Sequence, residues 1–188
     1  MAPTTKVTRE AIVEEAFSLV REKGVAFLTA REIASRLKVS TQPIFSNFSS
    51  MEMIRKEVAE RAYGYYRDFQ RKAMEEAEAL SGVSPYKASG MAYIDFAREE
   101  KELFRLLFMS DFIDEKKTES EEFSFFSQVV GEKTGFDDER ARRFHLEMWV
   151  FVHGAAVMEA TGYMSLDREL VSKMLSDVYK GVSMKMMG

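Results

Sequence analysis

Apolar side chains recur every three or four residues along most of the 188-residue chain, and no useful length alternates with period two. Ile12, Val13, Ala16, Phe17 and Val20 describe one face of a first helix, from about Thr8 to Lys23, with Gly24 at the C-terminal cap position. Ile33, Ala34 and Leu37 repeat the pattern in a short second helix. Thr29 and Glu32 stand at the spacing of a capping box, so this helix should begin at Ala30. Lys38-Val39-Ser40 then breaks the period. Val39 is the expected apolar plug between two helices, and Ser40 the expected cap of the next. That third helix, roughly Thr41 to Asn47, buries Ile44 and Phe48 on an i, i+4 stripe. It leaves Thr41, Gln42, Phe45 and Ser46 facing outward, with Asn47 at the margin. Two short helices joined by a turn of three or four residues form a helix-turn-helix unit, whose second helix suits a DNA major groove.

The pattern continues in longer helices. Ser49 and Glu52 form a second capping box, opening a helix that reaches about Leu80 and carries Tyr63, Tyr65, Tyr66 and Phe69. The break at Ser81-Gly82-Val83-Ser84-Pro85 places Ser84 as cap and Pro85 as first residue of the next helix. Pro85 to Met109 is helical, with a division near Glu99-Glu100-Lys101. Leu103, Phe104, Leu106, Leu107 and Phe108 leave almost no polar face, the mark of a helix buried on every side or lining a cavity. Asp111 to Glu122 reads as a charged, solvated loop, and Phe123, Phe125 and Phe126 begin a helix ending near Gly131 to Gly135. Asp137 or Asp138 starts a long helix to about Ala160. The last, about Asp167 to Met184, sets Leu170, Val171, Met174, Leu175 and Val178 on one face. The expected fold is all-α, about nine helices: a three-helix head followed by a larger helical body.

Composition removes several classes of function. There is no cysteine, which excludes disulfides, thiolate catalysis and cysteine zinc sites. The two histidines, His145 and His153, are eight residues apart and roughly 80° apart around a helix, so they cannot chelate a metal as an i, i+4 pair. No metal or other cofactor is expected. There is no phosphate-cradling glycine loop and no nucleophile with its base, so no enzyme is expected either. No apolar run approaches a membrane span and no signal peptide is visible, which leaves the cytoplasm as the expected compartment. The net charge of −4 is unevenly spread: residues 1 to 56 carry +3 and the remainder −7. That asymmetry suits a small head meeting phosphate and a larger body that does not.

The head resembles the DNA-binding domain of the TetR family of transcriptional regulators. The resemblance covers about the first third of the chain. It rests on the helix ending at Gly24, then Thr29, Ile33-Ala34, Val39-Ser40, Ile44-Phe45-x-x-Phe48 and the helix opening Ser49-Ser50-Met51-Glu52-Met53-Ile54. Three positions depart from the family pattern: Lys38 where glycine is frequent, Phe45 where tyrosine is usual, and Met51 where lysine is common. Lys38 must then take a left-handed conformation, Phe45 loses a hydroxyl and Met51 loses a phosphate contact. Further on, Trp149-Val-Phe-Val-His153-Gly154 resembles the Trp-His-Gly pattern of one group of TetR-family C-terminal domains. The resemblance implies a DNA-binding domain over residues 1–50 and a ligand-binding and dimerisation domain over 51–188. It also implies a homodimer on a double-stranded operator, more often a repressor, answering to a small-molecule effector.

The residue pattern and the resemblance together define the expected site residues. Base readout falls to Thr41, Gln42, Phe45, Ser46 and Asn47, and phosphate contact to Thr29, Arg31, Lys38 and Ser40. No Arg or Lys lies between Thr41 and Phe48, so the strong guanine contact is missing from this helix. The body is rich in methionine and phenylalanine, suited to an adaptable apolar cavity. Its candidate lining is Tyr63, Tyr93, Phe104, Phe108, Phe126, Trp149 and His153, with His153 hydrogen-bonding a core neighbour or orienting a ligand. The last two helices suit a four-helix dimer interface through Gly154, Ala155, Leu170, Val171, Met174, Leu175 and Val178. A rival reading is an all-α protein-interaction or ligand-binding module without DNA binding, for which Phe45 and Met51 leave room.

Overall fold

Side-chain oxygens close the first turns of several helices. Thr8 Oγ1 accepts the Ala11 N–H, Thr29 Oγ1 the Glu32 N–H, Asp137 Oδ1 the Arg140 N–H and Asp167 Oδ1 the Leu170 N–H, at 2.9–3.2 Å. The helices that these caps help to delimit are α1 (Arg9–Lys23), α2 (Ala30–Arg36), α3 (Gln42–Asn47), α4 (Met51–Ala79), α5 (Pro85–Glu99), α6 (Lys101–Phe108), α7 (Glu115–Thr134), α8 (Asp138–Thr161) and α9 (Arg168–Met187). The computed structural model describes residues 7–80, 82, 84–110 and 115–187, with backbone alone for 115–120. Among the described residues there are nine α-helices, one 3₁₀ turn at Val25–Phe27 and no strand. Residues 1–6, 81, 83, 111–114 and 188 lie outside the described residues.

Three local expectations need correction. The cap of α3 is Thr41, not Ser40, and its side chain makes no capping hydrogen bond; the Thr41 carbonyl takes the Ile44 and Phe45 N–H groups at 3.1 and 3.2 Å. Pro43, at the second helical position, has no N–H to satisfy, so the short first turn has less need of a side-chain cap. At the start of α4 the cap is Ser50 rather than Ser49, its Oγ accepting the Met53 N–H at 3.4 Å, while Glu52 pairs with Arg55 at 3.5 Å. The charged stretch expected as a loop over Asp111 to Glu122 is helical from Glu115 onward. Glu and Lys are good helix formers and no Gly or Pro interrupts them, so polarity alone gave no reason to break the helix.

Packing groups the chain into two compact units, Met1–Tyr66 with Glu100–Ile113, and Arg67–Glu99 with Asp114–Gly188. The grouping does not coincide with a division at residue 50, because α6 packs with α1. In the first unit Ile12, Leu19, Val20, Ile33, Ile44, Phe48, Ile54 and Val58 are essentially inaccessible to solvent. Leu103, Phe104, Leu106 and Leu107 bury α6 as its nearly all-apolar surface requires. Phe108 lies edge-on to the buried Tyr66 at 5.1 Å between centroids. Arg21 of α1 donates through Nε to Glu100 Oε2 at 2.7 Å, and Glu102 lies against Gly24.

The second unit is built around α5 and α8. Gly90 admits both neighbours of α5: a Cβ there would meet Val152 at 3.3 Å and Leu175 at 3.4 Å. Phe69 packs on Phe96, and Phe144 on Tyr179 and Phe136. Glu159, buried on α8, accepts from Arg98 Nη2 at 2.8 Å and from the Leu166 N–H at 2.7 Å. Arg98 also donates to the Leu166 carbonyl, so one ion pair fastens the α8–α9 connection to α5.

Candidate nucleic-acid interface

The turn between α2 and α3 is closed by two backbone bonds, Lys38 N–H to Ser35 O at 3.1 Å and Val39 N–H to Ala34 O at 2.9 Å. Lys38 does adopt the left-handed conformation, φ +55°, and its side chain is exposed. Ile44 and Phe48 are buried, which orients the remaining positions of α3. Gln42, Phe45 and Ser46 are exposed, Phe45 to 51%, while Thr41 and Asn47 are half-buried. Arg31, Ser40 and Thr29 are exposed, although Thr29 Oγ1 already serves as a cap. Arg36, the remaining cation of α2, is paired with Glu15 and Glu22.

Two of the expected base readers are engaged within the protein. Asn47 Nδ2 donates to Pro43 O at 2.8 Å and to Val7 O at 3.3 Å. Ser46 Oγ donates to Gln42 O at 2.9 Å, which leaves its lone pairs as acceptors. Neither bond was legible in the sequence, because side-chain-to-backbone bonds depend on rotamers rather than spacing.

Sequence reading gave Arg9 no part in seating α3. Its guanidinium lies 4.0 Å from the Phe48 ring centroid, donates through Nη1 to Asn47 O at 2.9 Å, and pairs with Glu57, with Nε to Oε1 at 3.0 Å. One side chain thus joins the start of α1, the end of α3 and the first turns of α4. An arginine just inside a capped helix was the only signal in the sequence.

The expected cavity residues separate between the two units. Tyr63, Phe104 and Phe108 belong to the first, where Phe104 and Phe108 lie 5.1 Å apart and Tyr63 is 6.0 Å from Tyr66. Tyr93, Trp149, His153 and Phe126 belong to the second. Tyr93 Oη is 2.9 Å from His153 Nδ1, and Trp149 stacks on the His153 ring at 4.8 Å and 14°. Burial pushes the His153 pKa down, so its neutral form is favoured. Phe126 joins a different cluster, in which His145 Nδ1 is 2.9 Å from Tyr86 Oη and the rings of Phe123 and Phe126 lie against the imidazole. Burial lowers His145 to about 4 and raises the Tyr86 hydroxyl. Among the described residues no group of acidic, histidine or cysteine side chains is placed to hold a metal.

Of the residues expected at a dimer interface, Val171, Leu175 and Ala155 are buried within their own unit, Val171 and Leu175 at 1% and 3% exposure. Leu170 and Met174 are exposed, Val178 is half-buried, and the space around Gly154 is open within 4 Å. The α9 stripe therefore serves two surfaces, one facing the core and one facing solvent.

A capped helix-turn-helix with an outward second helix, followed by a helical body, defines a nucleic-acid-binding regulator. Residues 12–58 match the family model described as bacterial regulatory proteins, tetR family, and residues 86–178 match the tetracyclin repressor-like C-terminal domain. The fold is similar to that of a protein from Pseudomonas aeruginosa PAO1 assigned as a transcriptional regulator, with a TM-score of 0.68 at 11% identity over 97% of this chain and 95% of that one. A comparison with curated protein sequences finds no match. The chain belongs to the TetR family of DNA-binding transcriptional regulators. No helix among the described residues is long and apolar enough to cross a membrane.

Proposed function

We propose that the protein is a cytoplasmic homodimeric repressor that binds a palindromic operator through α3 and leaves it when a small apolar molecule occupies the C-terminal part. The observation that carries the DNA-binding reading is the exposure of Gln42, Phe45 and Ser46 on a helix whose opposite face is anchored by Ile44 and Phe48. A glutamine amide can pair bidentately with adenine, an aromatic ring can meet a thymine methyl, and a serine oxygen can accept from a base amine. With no cation on α3, phosphate contacts fall to Arg31 and Lys38 beside it, and DNA shape supplies part of the specificity. Residues 1–50 carry this activity and residues 51–188 the ligand site and dimer contacts. Leu170 and Met174, together with the open surface at Gly154, support pairing through α8 and α9. Tyr93, Trp149 and His153, joined by hydrogen bond and stacking, support a ligand site that is apolar with one neutral imidazole. Helix α4 follows α3 directly and spans Met51–Ala79, so a ligand-dependent tilt of it would change whether two α3 helices meet major grooves about 34–36 Å apart.

Selection of bound sequences from a random duplex pool at two salt concentrations tests this reading. The expected result is a palindromic motif whose affinity falls steeply with salt, and whose preference at one position per half-site relaxes in Gln42→Ala. Recovery of no motif at low salt would overturn it.

A further inference from the structure

We propose that Arg9 is a positioning residue for sequence recognition: its guanidinium sets the seating of α3 through Asn47, Phe48 and Glu57 instead of contacting phosphate. This inference rests on the DNA-binding reading above and deepens it. Helix α3 has only six residues, too few to be held by its own hydrogen bonds, so its orientation depends on what touches it. Ile44 and Phe48 fix its depth in the core, but an apolar contact is tolerant of small rotations about the helix axis. The Arg9 fork adds direction. Its Nη1 donates to the carbonyl of Asn47, the last residue of α3, where a cation also complements the negative end of the helix dipole. The same planar group stacks on Phe48, the residue that terminates the helix, and is itself held by the Glu57 carboxylate of α4. Asn47, rather than reading a base with its amide donors, spends both on Val7 and Pro43 and completes the same junction. A small rotation of α3 would carry Gln42 and Phe45 away from the base edges while leaving the surrounding phosphate contacts intact.

The sign of the Glu57 effect separates this role from a phosphate contact. If Arg9 met phosphate, the Glu57 carboxylate would compete with DNA, and its removal would free the arginine and tighten binding. If Arg9 positions α3, removal of Glu57 slackens it, and specific binding weakens. The two roles thus predict opposite signs for one substitution.

The test uses the full-length protein, the duplex selected by the wild type and a scrambled duplex of the same composition, titrated over a range of salt. Arg9→Ala and Glu57→Gln are each expected to weaken binding to the selected duplex by about tenfold, the loss of one base contact, with binding to the scrambled duplex unchanged. The salt dependence should keep its slope in both variants, and the double variant should lose no more than the worse single one. Equal losses on both duplexes with a slope shallower by about 0.9 for Arg9→Ala would make Arg9 a phosphate contact and overturn the inference. Tighter binding by Glu57→Gln would do the same. Thermal melts followed by circular dichroism set an assay temperature at which each variant is folded, and Glu57→Gln carries the test if Arg9→Ala does not fold. A wild type that selects no sequence overturns the DNA-binding reading itself; a selected motif with Arg9→Ala binding as well as wild type overturns only the role of Arg9.

Discussion

The carboxylate of Glu102 occupies the space that a side chain at Gly24 would need, with Oε2 2.5 Å from the position of an added Cβ. Gly24 also has φ +91° and ψ 165°, a conformation almost closed to other residues. Gly24→Ala should therefore destabilise the first unit by about 1–3 kcal/mol for the backbone alone, with the displacement of Glu102 in addition. Denaturant unfolding measures the loss. Glu102→Ala in the same chain should restore the steric part and leave the backbone part. Full restoration would show that φ carries no cost here.

Stability should depend on pH through His145. The unfolded chain takes up a proton at this residue near pH 6.5, whereas burial among Tyr86, Phe123 and Phe126 lowers the folded value to about 4. The contribution of the neutral ring is complete above pH 6.5 and is lost as pH falls toward 4, a change of about 3 kcal/mol across the window. His153, lowered by burial as well, acts in the same direction. Unfolding free energies of wild type and His145→Phe between pH 7 and 4 should diverge in slope, the variant being the flatter. Parallel curves would assign the acid sensitivity to other groups.

Lys38 combines a strained backbone with an exposed cation beside α3. Lys38→Gly relieves the left-handed conformation but frees the unfolded chain, so the net change in stability should stay within about 1 kcal/mol. Binding to DNA should weaken for every sequence alike, and the salt slope should fall by about 0.9, one phosphate contact. Unchanged binding would remove Lys38 from the interface.

Periodicity carried most of the helical layout because the apolar stripes, Ile12 to Val20, Ile33 to Leu37 and Ile44 to Phe48, repeat at 3.6-residue spacing and end at Gly, Ser, Thr or Asp. The conformation of Lys38 was legible through the family resemblance instead, because the pattern places a glycine at that turn position and so marks it as left-handed. What the pattern does not encode is choice among equivalent partners. Ser49 and Ser50 both precede α4, and only backbone geometry decides which one caps it. The α9 stripe shows which residues are apolar but not that Val171 and Leu175 turn inward while Leu170 and Met174 face out. Arg9, Asn47 and Glu57 are polar residues 38 and 48 positions apart, and no local pattern joins them.

The unit that presents α3 is discontinuous in sequence, since α6 enters it from beyond residue 100. A chain emerging from the ribosome can form α1 to α3 early, yet Gly24 and Arg21 wait for Glu102 and Glu100 until more than half of the protein has been made. Helix α5, part of the other unit, must be synthesised in between. No single cut or early stop can therefore release α3 with its complete packing, and fragments that end before Glu100 should be born with an open face on α1.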